Sequence, residues 1–128
     1  MELYALQRSL ADLEKLGAGL VAISPQLAHF NAETRDKHRI AYPILSDNDN
    51  SFARQLGVVH GLPDDLKELY AGFGIDLPAT NGTDNWDLPL ATRLVADRNG
   101  TVISVEADAD YTIRPEPAAT LEVVKALV

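Results

Sequence analysis

A short apolar run, Leu20-Val21-Ala22-Ile23, constrains the fold of this chain more than any other stretch. Gly17 and Gly19 precede the run, and Ser24-Pro25 follows it with the pattern of an N-cap and first residue of a helix. An uninterrupted apolar run of this length is typical of a strand covered on both faces, as in a parallel sheet. Because the flanking segments have helical patterns, the sequence predicts an α/β fold organised around this strand.

The size and charge of the chain exclude several classes of protein. Its 128 residues fit one domain, which we expect to cover residues 1–128. Lys and Arg total 11 against 19 Asp and Glu, and the net charge of −8 disfavours nucleic acid as a partner. No apolar run approaches the roughly 18 residues of a membrane span, and the amino terminus lacks a signal-peptide pattern. We therefore expect a cytoplasmic protein that does not contact membranes.

Hydrophobic periodicity and turn residues predict the order of the elements. Leucines recur every three or four residues from Glu2 to Leu16, which predicts an amphipathic helix ended by Gly17. Asp97-Arg98-Asn99-Gly100 separates two β-prone stretches, so we expect a hairpin in which Asn-Gly supplies positive φ angles. The other predictions are helices from Ser24 to about His38, over Asn50–Leu56, over Pro63–Phe73 and over Glu116–Leu127 with Leu121, Val124 and Leu127 facing inward; strands over Ile40–Leu45, Thr92–Ala96 and Thr101–Val105; a long loop over Asp76–Pro89; and an irregular segment over Asp108–Arg114.

The chain offers little metal or redox chemistry. It contains no cysteine, which removes disulfides, thiolate metal sites and thiol redox steps from these residues, and its three histidines lack the spacing of a zinc site. Asp47-Asn48-Asp49-Asn50-Ser51 resembles a calcium loop, but Phe52 stands where that loop needs glycine, so a turn and helix cap is the better interpretation. Asp108 and Asp110 could pair as acid and base, although a solvated acidic loop is the simpler interpretation. We expect no metal and no other cofactor.

Two aromatic residues outside the predicted elements are candidates for a binding site. Trp86, the sole tryptophan, lies in a polar stretch, so its ring either packs back onto the core or lines a pocket. His60 has an ordinary surface or packed position as its simplest interpretation, but loops also concentrate binding residues. A small-molecule pocket near His60, Trp86 and Arg93 is therefore one hypothesis for function.

Six short stretches of the chain, taken in order, resemble one protein family. They are similar to the thioredoxin-fold peroxiredoxins of the alkyl hydroperoxide reductase and thiol-specific antioxidant (AhpC/TSA) type. This resemblance implies a thioredoxin-like α/β fold, with a mixed sheet and a carboxyl-terminal β-hairpin flanked by helices, and a lineage that reduces hydroperoxides with thiol electrons. The stretches are Glu2-Leu3-Tyr4-Ala5-Leu6-Gln7, Leu20-Val21-Ala22-Ile23-Ser24-Pro25-Gln26, Tyr42-Pro43-Ile44-Leu45-Ser46-Asp47, Phe73-Gly74-Ile75-Asp76-Leu77-Pro78, Trp86-Asp87-Leu88-Pro89 and Val95-Ala96-Asp97-Arg98-Asn99-Gly100.

Two features of that family are not matched. Members of that family carry Cys-Pro-x-Cys just before the helix that begins here at Glu2. Because this sequence contains no cysteine, we expect it not to reduce peroxide. A thiol electron donor is expected only for a longer form that carries the cysteines. Ala91 stands at the place of the family's cis-proline, followed by Thr92 and Arg93, and a cis bond before alanine costs about 2.5 to 4 kcal/mol, so we expect a trans bond. With His60 and Trp86, these three residues complete the pocket candidates.

The resemblance also implies a gap in the sheet. In the family, the strand leading into the cysteine motif lies between the Leu20–Ile23 strand and the Thr92–Ala96 strand. Without this central amino-terminal strand, two half-sheets are left with unpaired edges, and each buried unpaired backbone group costs about 1 to 3 kcal/mol. The two strands then pair directly, a second chain covers the gap, or the sequence is a fragment. We favour a fragment or misassigned start, with self-association as a dimer.

Two hypotheses for function follow from these observations. The first is a peroxiredoxin-like antioxidant oxidoreductase domain that is inactive without a cysteine. The second is a non-catalytic thioredoxin-fold module for interaction or oligomerisation, which acts through the loop around Trp86 or through self-association.

Overall fold

Helices and short strands alternate as far as the fourth helix in this computed structural model, and three consecutive strands precede the last helix; the structure describes residues 2–108 and 117–127. The helices predicted before Gly17, Gly57 and Gly74 are confirmed, each to within one residue at both ends. A single 3-10 turn, Asn48–Asn50, leads into the third helix. The helices are α1 Glu2–Lys15, α2 Ala28–His38, α3 Ser51–Leu56, α4 Asp64–Gly72, α5 Leu77–Asn81 and α6 Pro117–Lys125; the strands are β1 Ala22–Ser24, β2 Ile44–Ser46, β3 Val59–Gly61, β4 Asp87–Pro89, β5 Ala91–Ala96 and β6 Val102–Asp108.

The strands of the described ranges form three separate two-stranded sheets. β1 and β2 are parallel, whereas β3 with β4 and β5 with β6 are antiparallel. The expected gap is present in these ranges, because β1 pairs only with β2 and β5 pairs only with β6. The mixed sheet expected from the sequence is therefore interrupted between β1 and β5.

The strand predicted over Leu20–Ile23 is shorter and more exposed than its apolar run indicates. β1 begins at Ala22, and the side chains of Val21 and Ile23 are 50% and 48% exposed. Ala22 N donates to Pro43 O at 2.9 Å and Ser24 O accepts from Asp47 N at 2.8 Å, so residues 22 and 24 direct their backbone groups toward β2. The backbone groups of Val21 and Ile23 face the other edge, where no described residue pairs with them. The prediction of burial on both faces is wrong: the face that carries Val21 and Ile23 remains exposed, and no strand of the described ranges lies at the outer edge of β1 to shield it.

The helix predicted to start at Ser24-Pro25 begins instead at Ala28, after Leu27 as N-cap. Ser24 belongs to β1, and its hydroxyl oxygen accepts from Gln26 N at 3.2 Å in a tight turn. The cap prediction is wrong because pairing with β2 holds Ser24 in the strand. The strand predicted over Ile40–Leu45 is likewise displaced, since β2 starts only at Ile44, after Pro43.

The β5–β6 hairpin confirms the most local prediction of the sequence, although its turn differs. Of the two turn residues predicted to have positive φ, only Gly100 has one, at 82°. Asp97 organises the turn, because its Oδ1 accepts from Asn99 N and Thr101 N, each at 2.9 Å. The register shifts at Val95/Ala96, so a bulge follows the turn.

The long loop predicted over Asp76–Pro89 contains two regular elements. Asp76 Oδ1 accepts from Ala79 N at 3.2 Å and caps α5, and the chain later enters β4, which pairs with a strand, β3, that the sequence did not predict. Gly82 ends α5 with a φ of 67°, and a Cβ there would lie 2.7 Å from Leu27 Cδ2. The positive φ favours glycine at this position, and a larger residue would also displace the side chain of Leu27.

The carboxyl-terminal helix α6 packs against α1 and β5. It starts at Pro117, and Val124 is buried as predicted, whereas Leu127 is exposed, contrary to prediction. Asp108 ends β6 instead of opening an irregular segment, and residues 109–116 lie outside the described residues. The core of the described ranges is small; its buried apolar members are Leu13, Ile40, Tyr42, Ala53, Leu62 and Val124.

Candidate functional site

A polar network joins the loop after β2 to the segment that enters β4. We call it the Asp47–Asp87 network; its members are Asp47, Asp49, Asn50, Arg54, Asn85 and Asp87. The loop is tight, since Asp49 and Asn50 both have left-handed backbone angles, with φ of 53° and 56°. Asn tolerates this region better than most residues, and Asp does so to a similar extent. Two members of the network, Asn85 and Asp87, directly precede and follow Trp86 in the chain.

Asp47 is the buried anchor of the network. Its Oδ1 accepts from Phe52 N at 2.8 Å and its Oδ2 accepts from Ala53 N at 3.0 Å, so the carboxylate satisfies two amides at the start of α3. This geometry confirms the turn and helix cap that we preferred to a calcium loop. Both carboxylate oxygens of Asp47 are thus committed to the backbone.

Arg54 links the two other carboxylates. Its Nη2 lies 2.8 Å from Asp87 Oδ2 and 3.3 Å from Asp49 Oδ1, and Asn85 Nδ2 donates to the same Asp49 oxygen at 2.9 Å. The hydrogen bond from Asn85 and the guanidinium of Arg54 lower the pKa of Asp49, and the bond to Asp87 raises the pKa of Arg54. Both carboxylates are paired with Arg54, which suits a structural tie and not a general acid or base.

Asn50 lies at the centre of the network and is 2% exposed. Its Nδ2 donates to Asp87 O at 3.1 Å, while its Oδ1 has no hydrogen-bond partner. The side-chain amide of Asn50 therefore joins the loop after β2 to β4 through one hydrogen bond. No cluster of three or more His, Asp or Glu side chains suited to a metal occurs within residues 2–108 and 117–127.

The structure brings His60 and Trp86 to one face of the β3–β4 pair. His60 is opposite Leu88, and Leu62 N donates to Trp86 O at 3.1 Å, which extends the same ladder. Side chains two residues apart on a strand share a face, so His60 and Trp86 occupy diagonal positions. His60 is exposed and Trp86 is half-buried.

The other three pocket candidates, Ala91, Thr92 and Arg93, are the first three residues of β5. Arg93 Nη1 donates to Thr120 Oγ1 at 3.1 Å, which directs this side chain toward α6. Thr92 Oγ1 donates to Leu90 O at 2.9 Å, and the peptide bond before Ala91 is trans, as expected. His60 and Trp86 thus share one face of β3–β4, whereas Arg93 is the β5 candidate that contacts α6.

An open groove of about 290 Å³ lies between α1 and α6, apart from the pocket candidates. Its lining residues are Asp12, Lys15, Leu16, Leu121 and Lys125. Lys125 Nζ also pairs with Glu122 Oε1 at 3.3 Å, so its charge is partly balanced. The groove combines opposite charges with two leucines and has no feature of a catalytic site.

The fold described above is of the thioredoxin-like α/β class found in peroxiredoxins. It matches the crystal structure of peroxidoxin BcpB from Mycobacterium tuberculosis with 20% identity and a TM-score of 0.69, over 97% of this chain and 67% of that one. It also matches reduced Prx3 from Vibrio vulnificus in complex with H2O2, with 15% identity and a TM-score of 0.71, over 96% of this chain and 66% of that one. At these identities the likeness concerns the fold, and the chain spans about two thirds of the length of each structure.

The chain belongs to the AhpC/TSA family, whose model matches residues 1–105. This result confirms the resemblance carried by the six sequence stretches. No curated protein sequence matches the chain. None of the helices in the described ranges has the length and hydropathy needed to cross a membrane.

Proposed function

We propose that residues 1–128 form one peroxiredoxin-like domain that does not reduce hydroperoxides through its own side chains. The observation that carries this proposal is the complete absence of cysteine from a chain of the AhpC/TSA family. The resemblance places the family's peroxide-reducing thiolate just before α1, and Ser, Thr and Met lack its nucleophilicity and easy recycling. We expect the domain to act in the cytoplasm, and to use a thiol electron donor only as part of a form that carries the cysteines.

A peroxide-consumption assay tests this proposal. The chain is mixed with hydrogen peroxide and either a thioredoxin system or glutathione, and an active thiol peroxidase serves as the positive control. We expect the rate with the chain to equal the rate in buffer, because no thiolate is available to attack the peroxide oxygen. Turnover that rises in proportion to the concentration of the chain would contradict the proposal.

A second candidate function is self-association through the divided sheet. Its support is the exposure of apolar side chains on strands whose outer edges pair with no strand of the described ranges. Ile23 is opposite Leu45 in β1–β2, and Leu94 is opposite Val105 in β5–β6, so each pair presents adjacent apolar surface. Unpaired edges with apolar side chains favour pairing with another chain.

Sedimentation velocity at micromolar concentration tests this second candidate. We expect the wild-type chain to be a dimer. The substitutions Ile23→Lys and Val105→Lys should each shift it toward monomer, because a charge at the edge of a sheet opposes strand pairing. Leu56→Lys on α3, which is also exposed, serves as the matched control and should leave the dimer intact. A monomeric wild-type chain with a cooperative thermal transition would rule out self-association.

A further inference from the structure

Two copies of the tripeptide Asn-Gly-Thr occur in this chain, at 81–83 and 99–101. In an Asn-Gly pair the backbone nitrogen of the glycine can attack the side-chain amide of the asparagine, because glycine has no side chain to hinder the approach and adopts a wide range of backbone angles. Since both copies have the same three residues, a difference in reactivity between them comes mainly from their surroundings in the fold.

The second copy lies at the tip of the β5–β6 hairpin. Asn99 and Gly100 are both exposed. A Cβ on Gly100 would meet no atom within 4 Å, so the space beside the glycine is open. Solvent therefore surrounds this pair, and the side chain of Asn99 can turn toward the glycine nitrogen without displacing packed groups.

The first copy lies in packed surroundings. Asn81 is the last residue of α5 and is 5% exposed. A Cβ on Gly82 would lie 2.7 Å from Leu27 Cδ2, which shows how closely the neighbouring segment approaches. Because packed interiors leave little room for a side chain to change its rotamer, the fold protects Asn81 from the same attack.

A hydrogen bond sets a further barrier at both glycines. Gly100 N donates to Asp97 O at 3.1 Å, and Gly82 N donates to Pro78 O. The nitrogen attacks only after this bond opens. Opening costs less at an exposed hairpin tip than at a packed helix end, since the free energy of local unfolding rises with burial. The carboxylate of Asp97 opposes the opening of the tip, because its Oδ1 accepts from two further backbone amides of the turn.

We propose that Asn99 is a site of spontaneous deamidation, and that opening of the Asp97–Gly100 turn limits its rate. The Gly100 nitrogen forms a bond to Asn99 Cγ, the Cγ–Nδ2 bond breaks, and the side-chain nitrogen leaves as ammonia with the proton of the glycine amide. Water then opens the cyclic imide at either carbonyl, which yields aspartate or isoaspartate at this position. Water is the only other reactant, and nothing is oxidised or reduced.

Both products weaken the turn. Aspartate places a negative charge two residues from the carboxylate of Asp97, and like charges repel. Isoaspartate adds a carbon to the backbone of the turn, which displaces the amides that Asp97 binds. This inference goes beyond the proposed function, since it needs neither a thiol nor contact between chains.

Peptide mapping by mass spectrometry tests the proposal. The folded chain is incubated at mildly alkaline pH in water labelled with heavy oxygen, which marks every new carboxylate. The chain unfolded in guanidinium chloride is the reference, in which both copies should react at similar rates. In the folded chain we expect Asn99 to react about tenfold faster than Asn81 or more, because burial restricts the reaction of Asn81 to rare openings.

Two variants test the role of the turn. Asp97→Ala should speed the reaction at Asn99 about threefold to tenfold, because a turn with fewer hydrogen bonds opens more often. Asp12→Ala, at an exposed position on α1, is the matched control and should leave the rate unchanged. Far-UV circular dichroism verifies that each variant is folded. The proposal is wrong if Asn81 reacts as fast as Asn99 in the folded chain, if Asn99 reacts only in the unfolded chain, or if Asp97→Ala leaves its rate unchanged.

Discussion

The Asp47–Asp87 network begins directly after β2 in the chain, yet its side chains differ from those of the β1–β2 pair in both polarity and burial. In the network, polar groups from segments far apart in sequence meet, and the anchoring carboxylate is buried. In the strand pair, apolar side chains that would gain from burial remain half exposed. The comparison shows that polar contacts fix this end of the fold, while its apolar strand surface remains exposed.

The largest expected effect comes from removing the anchor of the network. Asp47→Ala leaves two amides at the start of α3 without their acceptors, so we expect a loss of about 2 to 3 kcal/mol in the free energy of unfolding. Urea denaturation followed by circular dichroism measures this loss. Asn48→Ala, at an exposed neighbouring position, is the control and should have little effect. Equal losses for the two variants would show that the network does not anchor the loop.

A smaller effect is expected in the strand pair. Ile23→Thr keeps a β-branched side chain at a half-exposed position, so the free energy of unfolding should change by no more than about 0.5 kcal/mol. The same urea titration measures it, at a concentration where the chain is monomeric. A loss of about 2 kcal/mol or more would mean that this side chain is covered in solution, and the contrast between the two regions would disappear.

Breaking the link between the carboxylates should have a modest effect. Arg54→Met removes both ion pairs but keeps an extended apolar side chain, so we expect a small decrease in Tm. Because the pairs are exposed, the difference from wild type should shrink as salt is added. Lys15→Met, at a position outside the network, controls for the loss of one positive charge. A difference in Tm that persists at high salt would contradict an electrostatic origin.

The smallest effect is a pH dependence at Asp49. Hydrogen bonding by Asn85 and by Arg54 lowers the pKa of this carboxyl below its ordinary value of 3.8, so folding favours its ionised form. The resulting stability is present above the ordinary value and is lost as pH falls through the lowered one. The Tm difference between wild type and Asp49→Asn should therefore fall between about pH 5 and pH 2. A difference that grew as the solution was acidified would reverse the direction of the pKa shift.

Local signals in the sequence predicted the elements whose determinants lie within a few residues. The leucines of α1, the glycine after α3 and the Asp97–Gly100 turn each specify their element without help from distant parts of the chain. The Asp47 cap was also predictable, since it acts on amides five and six residues away. Six short stretches were sufficient to indicate the family and, through it, the fold.

Contacts between distant segments account for what the sequence did not predict. Ser24 was assigned to a helix cap because its pairing with β2 cannot be seen locally. β3 and β4 have three residues each, and only their mutual pairing identifies them as strands. The bonds between Asn85 or Asp87 and the Asp49–Arg54 segment have no local signal, because these residues are 33 to 37 positions apart. The prediction that Ile23 is buried was wrong for a related reason. An apolar run indicates that burial would stabilise a strand, but it does not indicate whether another element of the fold provides that burial.

The β5–β6 hairpin has a consequence for the order in which the chain folds. Its strands are joined by a short turn, so the entropic cost of closing the loop is low, and hairpins of this kind form within about 1 to 10 μs. The pairs β1–β2 and β3–β4 connect residues much farther apart and must close long loops before they gain any contact. We therefore expect the hairpin to be the first of the strand pairs to form in a refolding chain. Its exposed apolar face is then available to other chains before the rest of the molecule has assembled.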